Sequence, residues 1–130
     1  MFKVIIAGGR DFNNYALLKT TCDNLLKNQN NIEIVCGMAM GADVLGLRYA
    51  KEMNYCVKKF PADWNKYGKS AGYKRNLQMG EYADALICFW DGKSKGSRLM
   101  INIAKKLNLP TRIIYYGSIN EKESNEKVDS

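Results

Sequence analysis

The chain has 130 residues, a net charge of +7, 46% hydrophobic residues and 25% charged residues, which is typical of a soluble globular protein. This length favours one domain that buries a core without disulfides or a metal ion. Histidine is absent, which excludes Ser-His-Asp and Cys-His catalysis and the usual zinc sites, so any general acid or base must be a carboxylate, lysine, tyrosine or cysteine.

The first predicted elements are a strand and a helix. Residues 3–7 form a short apolar, β-branched run that two glycines follow, which predicts a buried strand. Asn13 and Asn14 are N-cap candidates for the next element, because an asparagine oxygen can accept hydrogen bonds from first-turn amides. Apolar residues then recur at helical spacing up to Leu26, and the polar residues 28–31 end this helix.

The same alternation continues to residue 116. Predicted strands at residues 32–36, 55–60 and 85–90 are each followed by a loop and a helix, and Pro110 separates the last helix from a strand at residues 112–116. The helix after the third strand is predicted over about residues 72–82. This order predicts a parallel sheet that helices cover on both faces. Because crossovers are right-handed, the strand–helix loops share one edge, where such sheets bind ligands.

The first of these loops has residues that suit a phosphorylated ligand. Gly8 and Gly9 let the backbone turn sharply and let a ligand approach its amides. Arg10 can then reach a phosphate with its planar guanidinium. Asp11 has two interpretations, either an acceptor for a ribose hydroxyl or a carboxylate that caps the local turn.

The second and fourth loops place glycines before helix N-termini, where phosphate binds favourably. In the second loop these are Gly37 and Gly41, and the following Asp43 either complements the helix dipole or contacts a ribose. The fourth loop, residues 91–97, adds serine hydroxyls and lysine charges, and Asp91 is expected to brace it. Neither a Walker A pattern nor a G-x-G-x-x-G fingerprint is present, which excludes a P-loop NTPase and a standard dinucleotide dehydrogenase.

The third loop, within residues 60–76, interleaves aromatic and basic residues. Trp64, Tyr67 and Tyr73 lie among three lysines and an arginine. Aromatic rings stack on a flat base and cations neutralise phosphates, so this composition favours a nucleotide-like ligand. The alternative is a surface loop whose tryptophan caps the core.

Charge, cysteines and hydropathy indicate the surroundings of the protein. Residues 117–130 contain four acidic and two basic residues, so the body before them has a net charge of about +9, which favours a nucleotide or nucleic acid as partner. The cysteines form no C-x-x-C pair and predict buried thiols in a reducing compartment; they are Cys22, Cys36, Cys56 and Cys88. Because no apolar run approaches the roughly 20 residues of a membrane span, we expect a cytoplasmic protein without membrane contact.

The ordered loop motifs resemble the small stand-alone YspA-type members of the SLOG superfamily, which is named for the DNA-processing protein DprA (Smf) and the Lonely Guy phosphoribohydrolases. The similarity covers nearly all of residues 2–116. The motifs that carry it are Gly8-Gly9-Arg10-Asp11-Phe12, Gly37-Met38-Ala39-Met40-Gly41-Ala42-Asp43, Pro61-Ala62-Asp63-Trp64, Tyr67-Gly68-Lys69, Ala71-Gly72, Arg75-Asn76 and Trp90-Asp91-Gly92-x-Ser94-x-Gly96.

The resemblance implies an α/β, Rossmann-like, doubly wound and mostly parallel five-stranded sheet in a single domain, residues 1–116. The polar and charged composition of residues 117–130 predicts a disordered tail. The resemblance also implies a nucleotide-derived ligand at the loop edge, with no cofactor or metal ion, and a homo-oligomer such as a dimer or tetramer. The expected ligand-binding residues are Gly8, Gly9, Arg10, Asp11, Gly37, Met38, Gly41, Ala42, Asp43, Pro61, Asp63, Trp64, Tyr67, Lys69, Arg75, Asn76, Asp91, Gly92, Ser94, Gly96 and Ser97.

Hydrolases of this superfamily carry an R-K-x-x-M segment and a P-G-G-x-G-T-x-x-E segment, whose glutamate acts in catalysis. Arg75, Met79, Gly96 and Ser97 match these segments, but the glutamate position falls on Met100. The preferred hypothesis is therefore a protein that binds ADP-ribose or a cyclic ADP-ribose signal, as a sensor or as a sequestering sponge in defence or anti-defence signalling. The alternatives are an N-glycosidic or phosphoribosyl hydrolase that uses displaced acids, for which Asp11, Asp43 and Asp91 are candidates, and, less favoured, a single-stranded DNA-binding protein.

Overall fold

Strands and helices alternate along the chain in the computed structural model, which describes residues 1–37 and 41–117. The strands are β1 (Phe2–Gly8), β2 (Ile32–Cys36), β3 (Cys56–Lys59), β4 (Ala85–Trp90) and β5 (Thr111–Tyr115). The helices are α1 (Tyr15–Leu26), α2 (Ala42–Met53), α3 (Trp64–Tyr67), α4 (Ala71–Tyr82) and α5 (Lys95–Lys106), with a 3-10 helix, Gly68–Ser70, between α3 and α4.

The strands form one five-stranded sheet in the order β3-β2-β1-β4-β5, and every pairing in it is parallel. The predicted α/β fold is confirmed, although the sheet is parallel throughout instead of mostly parallel. The chain builds outward from β1 to β3 and then crosses to β4 on the other side of β1. The direction of winding therefore changes between β1 and β4, which is where sheets of this kind leave a crevice at their carboxyl ends.

Helices cover both faces because the side chains of the central strand alternate between two cores. Val4 and Ile6 pack in one core with residues of α1 and α2, such as the fully buried Tyr49. Ile5 packs in the other core with residues of α4 and α5, which include Met100. This arrangement confirms the doubly wound prediction.

Side-chain caps fix two of the helix starts. Asn14 Oδ1 accepts a hydrogen bond from the backbone amide of Leu17 at 3.0 Å, as expected for the start of α1. Asp63 Oδ1 accepts one from the amide of Lys66 at 3.0 Å and begins the short helix α3. No regular structure was predicted in the third loop before about residue 72, but α3 and the 3-10 helix lie there.

The turns at the amino edge of the sheet use left-handed asparagines. Asn31, Asn54 and Asn108 have φ angles of 58°, 59° and 60° and lie in the connections that lead into β2, β3 and β5. Asparagine tolerates this conformation better than most residues. These connections lie at the edge opposite the ligand-binding loops that the sequence predicts.

The prediction of buried thiols holds for Cys22, Cys36 and Cys88 and is wrong for Cys56. Cys56 lies on β3, which is an edge strand and is exposed along its length. Among the residues that the structure describes, every helix is too short or too polar to cross a lipid bilayer. Residues 118–130 lie outside the described ranges, so the predicted tail stays a prediction.

Candidate functional site

A cleft of about 750 Å³ opens at the carboxyl edge of the sheet. Its walls come from the loops after β1, β2, β3 and β4 and from the first turns of the helices that follow them. The predicted site residues that line it are Gly8, Arg10, Gly37, Asp43, Pro61, Trp64, Lys69, Arg75, Asn76, Ser94, Gly96 and Ser97. The described site residues that do not line it are Gly9, Asp11, Gly41, Ala42, Asp63, Tyr67, Asp91 and Gly92, and Met38 lies outside the described residues.

The floor of the cleft is more apolar than the loop motifs indicate. Met79 from α4 and Met100 from α5 are each 2% exposed, and both line the cleft together with Ala7 and Leu99. The site prediction missed these residues because their helical spacing marks them as core. Met100 is also the position of the catalytic glutamate in the hydrolases that the chain resembles, so the structure has a thioether where those enzymes place a carboxylate.

Arg75 is held in place by two hydrogen bonds. Its Nη1 donates to the backbone carbonyl of Gly37, and its Nε donates to Oδ1 of the buried Asn76 at 2.8 Å. A Cβ atom on Gly37 would lie 2.7 Å from Nη1, so a glycine is needed for this contact. The guanidinium is thereby fixed in the wall of the cleft.

The N-terminus of α5 points a polar surface into the cleft. Gly96 faces open space, since a Cβ atom there would meet nothing within 4 Å. Ser97, in the first turn, is only 4% exposed, and its Oγ has no hydrogen-bond partner within the described ranges. Burial raises the pKa of the nearby Cys88 thiol to about 12, and the Ser97 hydroxyl partly offsets this rise. The contact between Ser97 and Cys88 does not, however, meet the geometry of a hydrogen bond.

The glycines behind the cleft bring two loops together. Gly41 has a φ angle of 75°, and a Cβ atom on it would lie 2.1 Å from the carbonyl oxygen of Gly9. The amide of Ala42 donates to the same oxygen at 3.3 Å. Only glycine combines this backbone conformation with so close an approach. These residues shape the site without lining it.

The three acids that the sequence suggested for hydrolysis have different surroundings. Asp11 Oδ1 accepts a hydrogen bond of 2.6 Å from the Tyr116 hydroxyl, and Asp11 does not line the cleft. Asp91 Oδ1 accepts from the amides of Lys93 and Ser94 at 2.8 and 2.7 Å, which confirms that it braces its loop. Asp43 lines the cleft and is buried at the start of α2.

The hydrogen bonds of these acids also shift pKa values. Burial and, after it, the bond to Asp11 raise the pKa of Tyr116. Partial burial disfavours the charged form of Asp91, but the amides of Ser94 and Lys93 outweigh it and hold the pKa of Asp91 below its usual value. Asp91 is therefore ionised and acts as a structural acceptor at neutral pH.

Two exposed aromatic rings form the rim of the cleft. Trp64 is 61% exposed and Tyr73 is 47% exposed, and both line the opening. Trp64 packs in neither core, so the alternative in which it caps the core is wrong. Tyr67 and Asp63, also predicted site residues, instead line a smaller neighbouring pocket.

Within the described ranges, no cluster of three or more Cys, Asp and Glu side chains is arranged to hold a metal ion.

Comparison with known proteins identifies relatives of this chain. A model of the YspA, cpYpsA-related SLOG family matches residues 2–67. The "Gene 61 protein" of Mycobacterium phage D29 is 32% identical over 124 residues, which cover 90% of this chain and 98% of that protein. The X-ray structure of DNA processing protein A (DprA) from Streptococcus pneumoniae is similar in fold, with a TM-score of 0.71 at 15% identity over 99% of this chain.

The match to DprA covers 56% of that chain, so this protein spans little more than half its length. The family model covers about half of the present chain, and the phage relative extends the similarity over nearly all of it. The chain therefore belongs to the YspA, cpYpsA-related SLOG family.

Proposed function

We propose that this protein binds a nucleotide-derived ligand of the ADP-ribose or cyclic ADP-ribose type in the cleft and holds it without cleaving it. Membership of the SLOG family supports a role connected with nucleotides or nucleic acids. The observation that carries the finer proposal is the pairing of a fixed Arg75 with the open N-terminus of α5 above a floor that contains Met100.

The phosphate of this ligand would lie between Arg75 and α5. The first-turn amides and the helix dipole favour an anion there. Ser97 offers a buried hydroxyl that lacks a partner in the described ranges, and an acceptor from the ligand would satisfy it. Gly96 leaves the space that a phosphate needs to approach the backbone.

The base and the ribose would use the rim and the opposite wall. Trp64 and Tyr73 present exposed rings on which a base can stack. Asp43 lines the cleft near the start of α2, where its carboxylate can accept a hydrogen bond from a ribose hydroxyl. These contacts suit a complete nucleotide better than free phosphate.

The floor argues against cleavage of the ligand. Scission of a base–ribose bond needs a group that transfers a proton or stabilises positive charge on the sugar. The Met100 thioether does neither, and its surroundings are apolar. A protein that retains its ligand suits a sensor or a sequestering sponge. A relative is found in phage D29, where such a sponge would act in anti-defence signalling.

Calorimetric titration with AMP, ADP-ribose and cyclic ADP-ribose tests this proposal, and chromatography of each ligand after long incubation tests cleavage. We expect saturable heat with at least one ligand, and unchanged ligand afterwards. Absence of heat with all three would overturn the proposal.

A second candidate is a hydrolase that uses Asp43, because this is the acid among the three suggested ones that lines the cleft. It predicts the release of free base, and the loss of that release in Asp43→Asn. Recovery of intact ligand from the wild-type protein would remove this candidate.

Single-stranded DNA binding is a third candidate, and the similarity in fold to a DNA processing protein favours it together with the basic body of the chain. It predicts an affinity for oligonucleotides that falls steeply with added salt. Affinity for mononucleotides that is independent of salt, without binding of oligonucleotides, would exclude it.

A further inference from the structure

A second pocket, of about 170 Å³, adjoins the cleft. It lies between α3 and α4, and Pro61 and Arg75 line both cavities. The side chains that line the second pocket but not the cleft include Lys66, Tyr67 and Lys74. The two lysines lie outside the residues predicted for the site.

The side chains that line this pocket have a net positive charge, because Lys66, Lys74 and Arg75 outnumber the single carboxylate, Asp63. Lys66 Nζ and Lys74 Nζ lie 5.1 and 4.9 Å from the centre of the same Tyr67 ring. Within the described ranges, neither ammonium group is within ion-pair distance of an acid. Asp63 borders the pocket, but its Oδ1 already accepts from the backbone amide of Lys66.

Arg75 connects the pocket to the cleft. Its guanidinium cannot turn freely, because the Gly37 carbonyl and Asn76 hold it from the cleft side. A fixed cation and two neighbouring ammonium groups repel one another, and an anion among them would offset that repulsion. The pocket is concave and polar and is large enough for one phosphate group.

We infer that this pocket takes a second anionic group of the ligand in the cleft, namely a phosphate or phosphodiester separated from the first by a nucleoside. This inference rests on the part of the proposed function in which the cleft binds a nucleotide. It favours a ligand with separated phosphates over ADP-ribose, whose two phosphates are directly linked. The ligand carries at least two separated phosphates, as in a 5′-phosphorylated dinucleotide or a short single strand. Its chain runs past Arg75, from α5 towards α3.

The test compares AMP with the dinucleotide pApA on the Lys66→Ala/Lys74→Ala double variant. Exposed charge pairs are individually weak, so we expect about a tenfold loss of affinity for pApA. The affinity for AMP should change by less than about twofold. The matched control is Lys51→Ala/Lys106→Ala, which removes the same charge from exposed helix positions that line neither cavity.

Three outcomes separate the inference from the proposed function. Loss of pApA affinity in the pocket variant, with the control unchanged, supports the inference. An equal effect on both nucleotides, or on neither, overturns it and leaves nucleotide binding intact. A wild-type protein that binds neither nucleotide overturns both the inference and the proposed function.

Oligonucleotides of increasing length then identify the kind of ligand. Affinity that rises beyond the dinucleotide indicates a nucleic acid strand, and affinity that reaches a plateau indicates a small dinucleotide.

Discussion

The guanidinium of Arg75 donates a hydrogen bond to the carbonyl of Gly37, a residue 38 positions earlier in the chain. This bond joins the start of α4 to the end of β2, so two walls of the cleft are held at a fixed separation. A phosphate that enters the cleft meets a cation whose orientation is already set, and little side-chain entropy is lost on binding.

Substitution of Arg75 by lysine keeps the charge but not the planar fork. A lysine cannot reproduce the contacts with both the Gly37 carbonyl and Asn76, so we expect AMP affinity to fall about tenfold. Isothermal titration measures the loss. Arg98→Lys is the control, because Arg98 is exposed and lies over the Trp90 ring away from both cavities. An Arg75→Lys variant with wild-type affinity would contradict the assigned role.

Removal of the rim indole should affect binding far more than stability. Trp64→Ala deletes a ring that is 61% exposed, so the free energy of unfolding should change by less than about 0.5 kcal/mol. Loss of base stacking should cost about 1–3 kcal/mol of binding free energy. Val44→Ala, at another exposed apolar position, is the control and should leave binding unchanged. Equal affinities of the Trp64 variant and the wild type would show that the base lies elsewhere.

The glycines at positions 96 and 41 should respond in opposite ways. Gly96→Leu meets open space and improves helix propensity, so stability should stay equal or rise by about 0.5–1 kcal/mol, while the new side chain fills the cleft and blocks ligand binding. Gly41→Ala forces an unfavourable φ and a clash with the Gly9 carbonyl, which should cost at least about 2 kcal/mol. Urea unfolding measures both changes. Ligand binding by a folded Gly96→Leu variant would argue against the site.

Asp91 should contribute stability that depends on pH. The pKa of its carboxyl lies below the usual 3.8 in the folded state, so the contribution is complete above that value and is lost as pH falls through the folded pKa. Asp91→Ala should therefore lower the free energy of unfolding by about 1 kcal/mol at neutral pH. The difference from the wild type should shrink below about pH 4. A difference that is independent of pH would mean that the charge is irrelevant.

The thiols should react in two classes. Cys56 is exposed. Burial raises the pKa of Cys22 to about 12 and has the same effect on Cys88, so these two thiols do not readily form thiolates near neutral pH. Titration of the native protein with a disulfide reagent should therefore modify Cys56 rapidly and the buried thiols only after unfolding. Cys56→Ser should abolish the rapid phase, and a rapid phase that persists in this variant would show that a second thiol is accessible.

The regular elements could be predicted because local patterns determine them. The apolar run before Gly8 and the cap at Asn14 each depend on neighbours within a few residues, and both are found as expected. The short helix α3 could not be predicted, since its four residues have no apolar period and depend on a single cap from Asp63. Exposure of Cys56 likewise depends on β3 lying at the sheet edge, which strand spacing alone does not reveal.

The features of the candidate site that depend on local composition could likewise be predicted, whereas those that depend on distant contacts could not. Loop composition places Gly96 and Arg75 correctly at one cleft, because parallel strands bring their loops to one edge. The bond between Asp11 and Tyr116 spans 105 residues and could not be foreseen from local motifs. Met100 is both a core residue and part of the cleft floor, and helical spacing alone does not reveal the second role.

The asparagine turns at the amino edge have a practical consequence. Asn31, Asn54 and Asn108 mark a side of the molecule whose residues do not line the cleft or the second pocket. A cysteine placed at the exposed Lys27, in a background that lacks Cys56, would attach the protein to a sensor chip by this side. The immobilised molecule would present the cleft to a flowing cell extract, and any small molecule that it retains could be eluted and identified by mass spectrometry.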